Sequence, residues 1–314
     1  LGRRIVGGLV VVKDGHGLPL YGIDVLEAGH PEPDARSLAA GARLLAEART
    51  APPTETVLGL WSGGASALAE ALAPGVTLED VIAGVAERTR RGAPIEQINV
   101  FRRARSRLKG GGLARACRAP IVNLVISDVP GDRPHLVGSG PAIGAGTQDH
   151  VVARLDLAVQ GARKEAATLG RITTTHLLGE GQNAETVGRT LADRANRLYA
   201  GTCWLQAGEP VVRLRADSGT GGRMQQAALA AAVHLERKDA LLWFGSTDGT
   251  DGPTDIAGAC IDASTADRIR AAGLDPIDHL HRQDATPALA AADALVYTGP
   301  TLTNVRDLWF ALVG

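Results

Sequence analysis

Several clusters combine glycine with side chains able to hold an anion, a metal ion or a proton. Ser62-Gly63-Gly64-Ala65-Ser66 follows an apolar run and precedes an Ala/Leu-rich one. Such a loop offers unhindered backbone N–H groups and a helix N-terminus, both of which favour phosphate, although the same run also makes a turn needed only for packing. Lys109-Gly110-Gly111-Gly112 follows the basic stretch Arg102-Arg103-Ala104-Arg105-Ser106-Arg107. Cations beside a permissive turn can clamp phosphate or carboxylate. Most of these arginines read as a solvated helix face, and Lys109 stands apart because it directly precedes the glycines. Ser127-Asp128-Val129-Pro130-Gly131-Asp132 carries carboxylates on a turn, with Gly138-Ser139-Gly140-Pro141 close behind. Asp248, Asp251 and Asp255 lie in Thr247-Asp248-Gly249-Thr250-Asp251-Gly252-Pro253-Thr254-Asp255. Carboxylates so placed hold Mg²⁺ or accept a hydroxyl proton, and Asp-Gly is equally a turn signal. His30, in Gly29-His30-Pro31, reads first as a loop-shaping residue and second as a substrate contact.

Backbone cradles, a cation, a metal site and a base are together the inventory of phosphoryl transfer. The sequence has no Gly-x-x-x-x-Gly-Lys-Ser/Thr, no protein-kinase signature and no Gly-x-Gly-x-x-Gly after a strand. Any ATP site is therefore of a non-standard kind, and a dinucleotide site is disfavoured.

The elements that must position these groups alternate. Val57–Trp61 and Ile121–Ile126 read as buried strands, each running into one of the polar clusters. Thr77-Leu78-Glu79-Asp80 reads as a capping box opening a helix with Leu78, Val81, Ile82 and Val85 on one face and Gly92 near its end. A helical stretch covers Ala184 to Tyr199. Val211–Arg215 is then a predicted strand, Arg223 to Glu236 a helix and Leu241–Phe244 a strand. This alternation predicts an α/β fold with a mostly parallel, Rossmann-like sheet, in which ligands bind where loops leave the carboxyl ends of strands. The restart of the pattern places a domain boundary near residue 200, giving units 1–200 and 201–314, the second the smaller.

Apolar residues make up 45% of the 314-residue chain, enough for a sizeable core, and 33 Lys and Arg nearly cancel 34 Asp and Glu. That balance supplies no electrostatic ground for a nucleic-acid or membrane partner. Three scattered cysteines suit a reducing compartment, so a cytoplasmic location is expected. No apolar run reaches the length of a membrane span. Leu1-Gly2-Arg3-Arg4 carries no signal-peptide pattern and no initiator Met.

Read in order, the clusters resemble the type 2 glycerate kinases, which pair an N-terminal glycerate-kinase domain with a C-terminal MOFRL domain. The resemblance is carried by Gly29-His30-Pro31, Ser62-Gly63-Gly64 with Ser66, Ile98-Asn99 with Arg102, Lys109-Gly110-Gly111, Ser127 to Asp132 and Ser139-Gly140-Pro141. It continues through Gly208-Glu209, Gly221-Gly222-Arg223, Thr247 to Asp255, and Thr298-Gly299-Pro300-Thr301 with Thr303-Asn304-Val305. It implies an active site in an interdomain cleft, ATP and Mg²⁺ as cofactors, and D-glycerate or a similar small hydroxy acid as substrate. On that template Ser62, Gly63, Gly64, Ser66, Lys109 and Gly110 would bind nucleotide. Lys109, Arg102 and Asp251 would be catalytic, and Asp128, Asp132 and Asp248 would hold metal. His30, Asn99, Arg223, Thr301, Thr303 and Asn304 would contact substrate. Asp251→Asn should then reduce turnover far more than stability. A homodimer is the candidate assembly.

The sequence also departs from the family pattern. The resemblance implies an N-terminal Gly-Lys-Ala-Ala-like segment bearing a catalytic lysine, and nothing before Leu9 matches it. Either such a segment precedes Leu1 or that group is lacking. Met224 and Gln226 stand where Asn and Glu are usual, Phe101 and Ala104 where Val and His are usual, and Ala142-Ile143 continues without the usual Asp. These departures motivate two alternatives, a non-catalytic ligand-binding paralogue and a hydroxypyruvate reductase, the latter opposed by the missing dinucleotide motif.

Overall fold

The computed structural model describes residues 4–93, 95–177 and 181–314, so Leu1-Gly2-Arg3 falls outside it. The chain forms two compact units, Leu1–Val152 and Ala153–Gly314. The first contains β1 (Leu9–Lys13), β2 (Asp24–Ala28), α1 (Ala35–Thr50), β3 (Val57–Trp61), α2 (Ala65–Leu68), α3 (Leu78–Arg90), α4 (Ile95–Arg103), α5 (Gly112–Ala116), β4 (Ile121–Ile126) and β5 (Gln148–Ala153). Strands β1 and β2 pair in parallel as a small separate sheet, and β3 pairs in parallel with β4 in a second sheet, β3-β4-β5. Two 3₁₀ turns, Pro130–Asp132 and Pro134–Ser139, follow β4.

The expected capping box is present: Asp80 N donates to Thr77 Oγ1 at 3.1 Å and Thr77 N to Asp80 Oδ2 at 2.9 Å. The Ala/Leu run after Ser66 makes only one helical turn. Ala69 is already extended, and Glu70 is buried with its N–H on the carbonyl of Ser37 at 3.0 Å. The chain leaves the helix early because Glu70 is drawn inside.

The second unit contains α6 (Leu155–Thr168), β6 (Ile172–Leu177), α7 (Ala184–Ala195), β7 (Thr202–Gly208), α8 (Arg223–His234), β8 (Ala240–Ser246), β9 (Gly258–Asp262), α9 (Thr265–Ala271), α10 (Pro276–His281), α11 (Ala285–Ala291), β10 (Leu295–Val296) and β11 (Asp307–Val313). Its sheet runs β10-β9-β8-β11-β7-β6. Only β6 and β7 are parallel; the other pairs are antiparallel. The fold is therefore α/β as expected, with much of the parallel pairing in the first unit.

The division falls at Val152/Ala153, not near residue 200, and the second unit is not the smaller. The physical reason is hydrogen bonding: β6 pairs with β7 from Ile172↔Thr202 onward, so the segment before residue 200 is part of the second sheet. Val211–Arg215 is not a strand either. Beyond one bridge from Val211 to Asn183, its backbone is served by the amide of Gln283, which accepts from Arg215 N at 3.0 Å and donates to Arg213 O at 2.8 Å.

Helix α8 is buried from Met224 through Ala232. Its alanines let α7 approach until a Cβ on Gly188 would lie 1.9 Å from the carbonyl oxygen of Ala227. Strand β11 alternates cleanly, with Trp309, Ala311 and Val313 in the core around α7 and α8, and Leu308 and Phe310 packed on the cluster of α6.

Gly188→Ala should lower stability by about 2–3 kcal/mol through overpacking against a carbonyl that cannot yield without moving α8. Gly161, exposed in α6 with nothing near its missing Cβ, is the matched control. Gly161→Ala should stabilise by about 0.5–1 kcal/mol through helix propensity. Thermal and denaturant unfolding of the two variants would check the opposite signs.

Candidate active site

Parallel strands share a carboxyl end, so the loops leaving β3 and β4 are neighbours. Those loops are Ser62-Gly63-Gly64 and Ser127-Asp128, and with the loop leaving β2 they frame a pocket of about 240 Å³ in the first unit. His30, Gly63, Gly64, Ser66, Asn99, Arg102 and Asp128 all line it. Close approach explains two glycines. A Cβ on Gly63 would sit 1.9 Å from Asp128 Oδ2, and one on Gly64, whose φ is +86°, would meet His30 Nε2 at 3.1 Å. The glycines let a carboxylate and an imidazole pack directly on the loop backbone. Ser66 Oγ and Ser139 Oγ are hydrogen-bonded at 3.1 Å across the pocket wall.

Asn99 and Arg102 come from one face of α4, and the opposite face holds that helix against α3. Phe101 is buried there, with the guanidinium of Arg88 3.7 Å and that of Arg105 3.8 Å from its ring centroid. The expected solvated arginine face is thus largely half-buried, with Arg107 the exposed exception. Burial lowers the pKa of His30, and the charges of Lys13 and Arg102 lower it further. Its imidazole is held neutral beside a positively charged wall.

Lys109 and Gly110 do not serve as the sequence reading expects. Lys109 is 2% exposed, and its ammonium pairs with Glu70, which is 1% exposed. The Glu70 carboxylate also accepts from Ser106 Oγ and from Ala71 N. Burial pushes the Lys109 ammonium below the ordinary lysine range against the opposing pull of Glu70. Gly110 N donates to Ser139 O at 2.9 Å and Gly111 N to Gly140 O at 2.8 Å, so these N–H groups brace the chain and are not offered to a ligand. Ser62 is exposed beside the pocket, and Asp132 lies at a φ of +49° on the turn beyond it; neither lines it.

In the second unit, Arg223 opens α8. Its Nε donates to Asp307 Oδ2 at 2.6 Å, Nη2 to Asp307 Oδ1 at 3.2 Å, and Nη1 to Glu209 Oε1 at 3.2 Å. Burial works against the guanidinium charge, but the carboxylates of Asp307 and Glu209 more than offset it, raising the pKa of Arg223. Thr301 ties the late loop to the loop after β8, and Asn304 braces the late loop itself. Thr301 Oγ1 donates to Thr247 O at 2.5 Å, Thr301 N to Asp248 O at 3.2 Å, and Asn304 Oδ1 accepts from Arg306 N at 2.9 Å. Thr303 is exposed in the same loop. Asp248 Oδ1 accepts from Thr250 N at 2.9 Å, a turn contact.

Asp251, the expected catalytic carboxylate, is a buried helix cap. Its exposure is 1%, and its oxygens accept from Met224 N at 3.0 Å and Gln225 N at 2.8 Å. The N-cap residue of α8 is Gly222, which has no side chain to do this. Two family departures also fall in the interior: Met224 fills core, and Gln226 Nε2 donates to Leu280 O at 2.8 Å. No motif in the sequence assigns a role to Glu70, Ser139 or Asp307. A lone acid within Ala67-Leu68-Ala69-Glu70-Ala71-Leu72, and another ahead of Leu308-Trp309-Phe310, were the available signals.

Among the described residues, no three His, Cys, Asp or Glu side chains cluster as an all-protein metal cage. None of the described helices is long and apolar enough to cross a membrane. The fold defines a two-unit α/β protein whose first unit carries a polar strand-exit pocket lined by both Arg102 and Asp128.

Residues 1–166 match the family model described as a domain of unknown function, DUF4147, and residues 202–307 match the MOFRL family. A D-glycerate 2-kinase from Thermotoga maritima is 35% identical, covering 100% of this chain and 86% of its own. That alignment runs over 361 positions against 314 residues here, so the relative carries additional internal residues. A protein from Agrobacterium vitis named a putative hydroxypyruvate reductase is also 35% identical, over 98% of this chain and 93% of its own. The crystal structure of a glycerate kinase from Thermotoga maritima superposes with a TM-score of 0.91 at 33% identity, covering 100% of this chain and 86% of that one. The chain belongs to the type 2 glycerate kinase family.

Burial raises the Asp251 carboxyl from 3.8 to about 6, outweighing the N–H groups of Met224 and Gln225. The native state therefore holds a proton that the unfolded chain has released between those values. Stability is greatest below pH 4 on this account and falls as pH rises through 6, by about 3 kcal/mol in all. Asp251→Asn should flatten that slope. Asp251→Ala should cost about 2 kcal/mol at pH 5, where the cap is lost outright. Denaturant unfolding across pH 4–7 measures both.

Proposed function

We propose that this protein transfers the terminal phosphoryl group of ATP to a hydroxyl of D-glycerate or a closely similar hydroxy acid. The observation that carries the reading is the pocket of the first unit, where residues anticipated from separate motifs line one small cavity. Arg102 and Asn99 present a charged and a neutral donor on one helix face, the arrangement a carboxylate or phosphate requires. The backbone of Gly63 and Gly64 lies open to the same space. Neutral His30 can orient or accept from a hydroxyl without adding positive charge.

Asp128 is the carboxylate placed to take Mg²⁺. That ion keeps several waters and takes one or two carboxylates together with phosphate oxygens, so a single pocket Asp suits it better than a cage would. When bound, it would neutralise charge on the transferring phosphoryl group. In the second unit, Arg223 is a further fixed cation, held by Asp307 and Glu209 and suited by itself to a phosphate or carboxylate. The name of the Thermotoga maritima relative specifies the 2-position, which supports 2-phosphoglycerate as the product. Reduction of hydroxypyruvate is not supported, because the sequence contains no dinucleotide-binding motif.

With ATP, Mg²⁺ and D-glycerate, the protein should release ADP and form a phosphomonoester whose ³¹P signal coincides with that of 2-phosphoglycerate. No protein-dependent oxidation of NADH with hydroxypyruvate should occur. Arg102→Ala should lower kcat/KM by about 100-fold or more, the usual consequence of removing a charged anion contact, while the circular dichroism spectrum persists. No ADP from a panel of hydroxy acids would overturn the proposal.

A further inference from the structure

Strand β11 runs antiparallel to both of its neighbours, so its first residue meets their last ones. Asp307 pairs in register with Gly208 at the end of β7 and with Ser246 at the end of β8. Its carboxylate is fully buried and forks onto Nε and Nη2 of Arg223, while Ser246 Oγ donates to Oδ1 at 2.6 Å. The Arg223 side chain remains 32% exposed. Asp251 fixes the backbone that follows Arg223 by accepting from Met224 N and Gln225 N.

We propose that Asp307 is a positioning residue: through its fork it sets the plane of the Arg223 guanidinium, so that N–H bonds not spent on Asp307 and Glu209 are presented to an anionic group of the substrates. The proposal rests on the kinase reading in assigning Arg223 to such an anion. The physical argument is one of pre-organisation. An arginine side chain has many rotamers, and a guanidinium contributes to a transition state only where its planar donors are already aimed. Two bonds, from Nε and Nη2, to a carboxylate on the central strand remove that freedom. Ser246 fixes the carboxylate in turn, so the aim of Arg223 is tied to the ends of three strands. A buried ion pair is a poor device for stability alone, since apolar residues of similar volume commonly do as well. Placed at the wet end of the sheet with the arginine half open, it is well suited to orientation.

The test compares wild type with Asp307→Asn and Ser246→Ala, each measured in two ways. Steady-state kinetics should show kcat reduced about 100-fold in Asp307→Asn, with KM for ATP and D-glycerate changed less than about 10-fold, and a smaller kcat loss in Ser246→Ala. The ¹⁵Nε–H resonance of Arg223, assigned by its loss in Arg223→Lys, should exchange slowly in wild type and rapidly in Asp307→Asn. Wild-type kcat in Asp307→Asn, or fast exchange in wild type, overturns the proposal. If Asp307→Asn does not fold, Ser246→Ala decides by the same two readings. If wild type turns over no hydroxy acid, the kinase reading fails by itself. The exchange of the Arg223 ¹⁵Nε–H then decides this one: slow exchange in wild type and fast exchange in Asp307→Asn support it, and equal rates overturn it.

Discussion

Helix α8 is buried along most of its length, so its first N–H groups must find acceptors inside the protein. A helix with a wet face can leave them to water; this one cannot. The carboxylate of Asp251 meets the need, reaching Met224 N and Gln225 N from the loop after β8. Much of the second unit follows from that contact. The loop after β8 is held at the head of α8, Arg223 is fixed at the first helical position, and the alanine surface of α8 admits α7 at the close range that Gly188 permits. The raised pKa of Asp251 shows what this costs: a carboxylate far enough inside that burial outweighs two backbone donors.

The first unit meets a related difficulty with the opposite residue. Lys109 is carried inward by the glycine loop that follows it, and Glu70 is buried to receive it. Desolvating both charges is expensive, and the pair persists because Ser106 Oγ and Ala71 N satisfy the remaining carboxylate positions. The cation left to the pocket is Arg102, which suits the task better. A guanidinium stays charged when half-buried and offers donors in a fixed plane, whereas an ammonium in the same place shifts toward neutrality.

Strand and helix positions were largely legible in the sequence because apolar runs, caps and glycine punctuation agree locally. Val57–Trp61 and Ile121–Ile126 are strands with those bounds, and the Thr77 capping box is formed. Where reading failed, the deciding partner was distant in the chain. Val211–Arg215 has strand-like composition, but its backbone is satisfied by Gln283. The boundary near 200 missed the ladder joining β6 to β7. In the first unit His30, Gly63, Gly64 and Asp128 gather at strand exits, where location alone implies exposure to ligand, while Asn99 and Arg102 reach the same pocket from α4. Lys109 and Asp251 are buried against expectation for one shared reason: a charged residue beside glycines looks the same in sequence whether it faces a ligand or a buried counterpart. Asp307 went unassigned because its partner Arg223 is remote in sequence and the contact follows from an antiparallel crossing that no motif announces.

The placement of β11 bears on how the second unit comes into being during translation. It is the middle of its sheet, bonded to β7 on one side and β8 on the other, yet every other strand of that sheet precedes it in the chain. A ribosome therefore delivers β7 and β8 with unpaired inner edges, separated by the slot their common neighbour will occupy. Until that strand emerges, α8 has an incomplete floor and two open edges are exposed to other nascent chains. Such edges template aggregation, so the interval before β11 arrives is when the second unit is most open to mispairing.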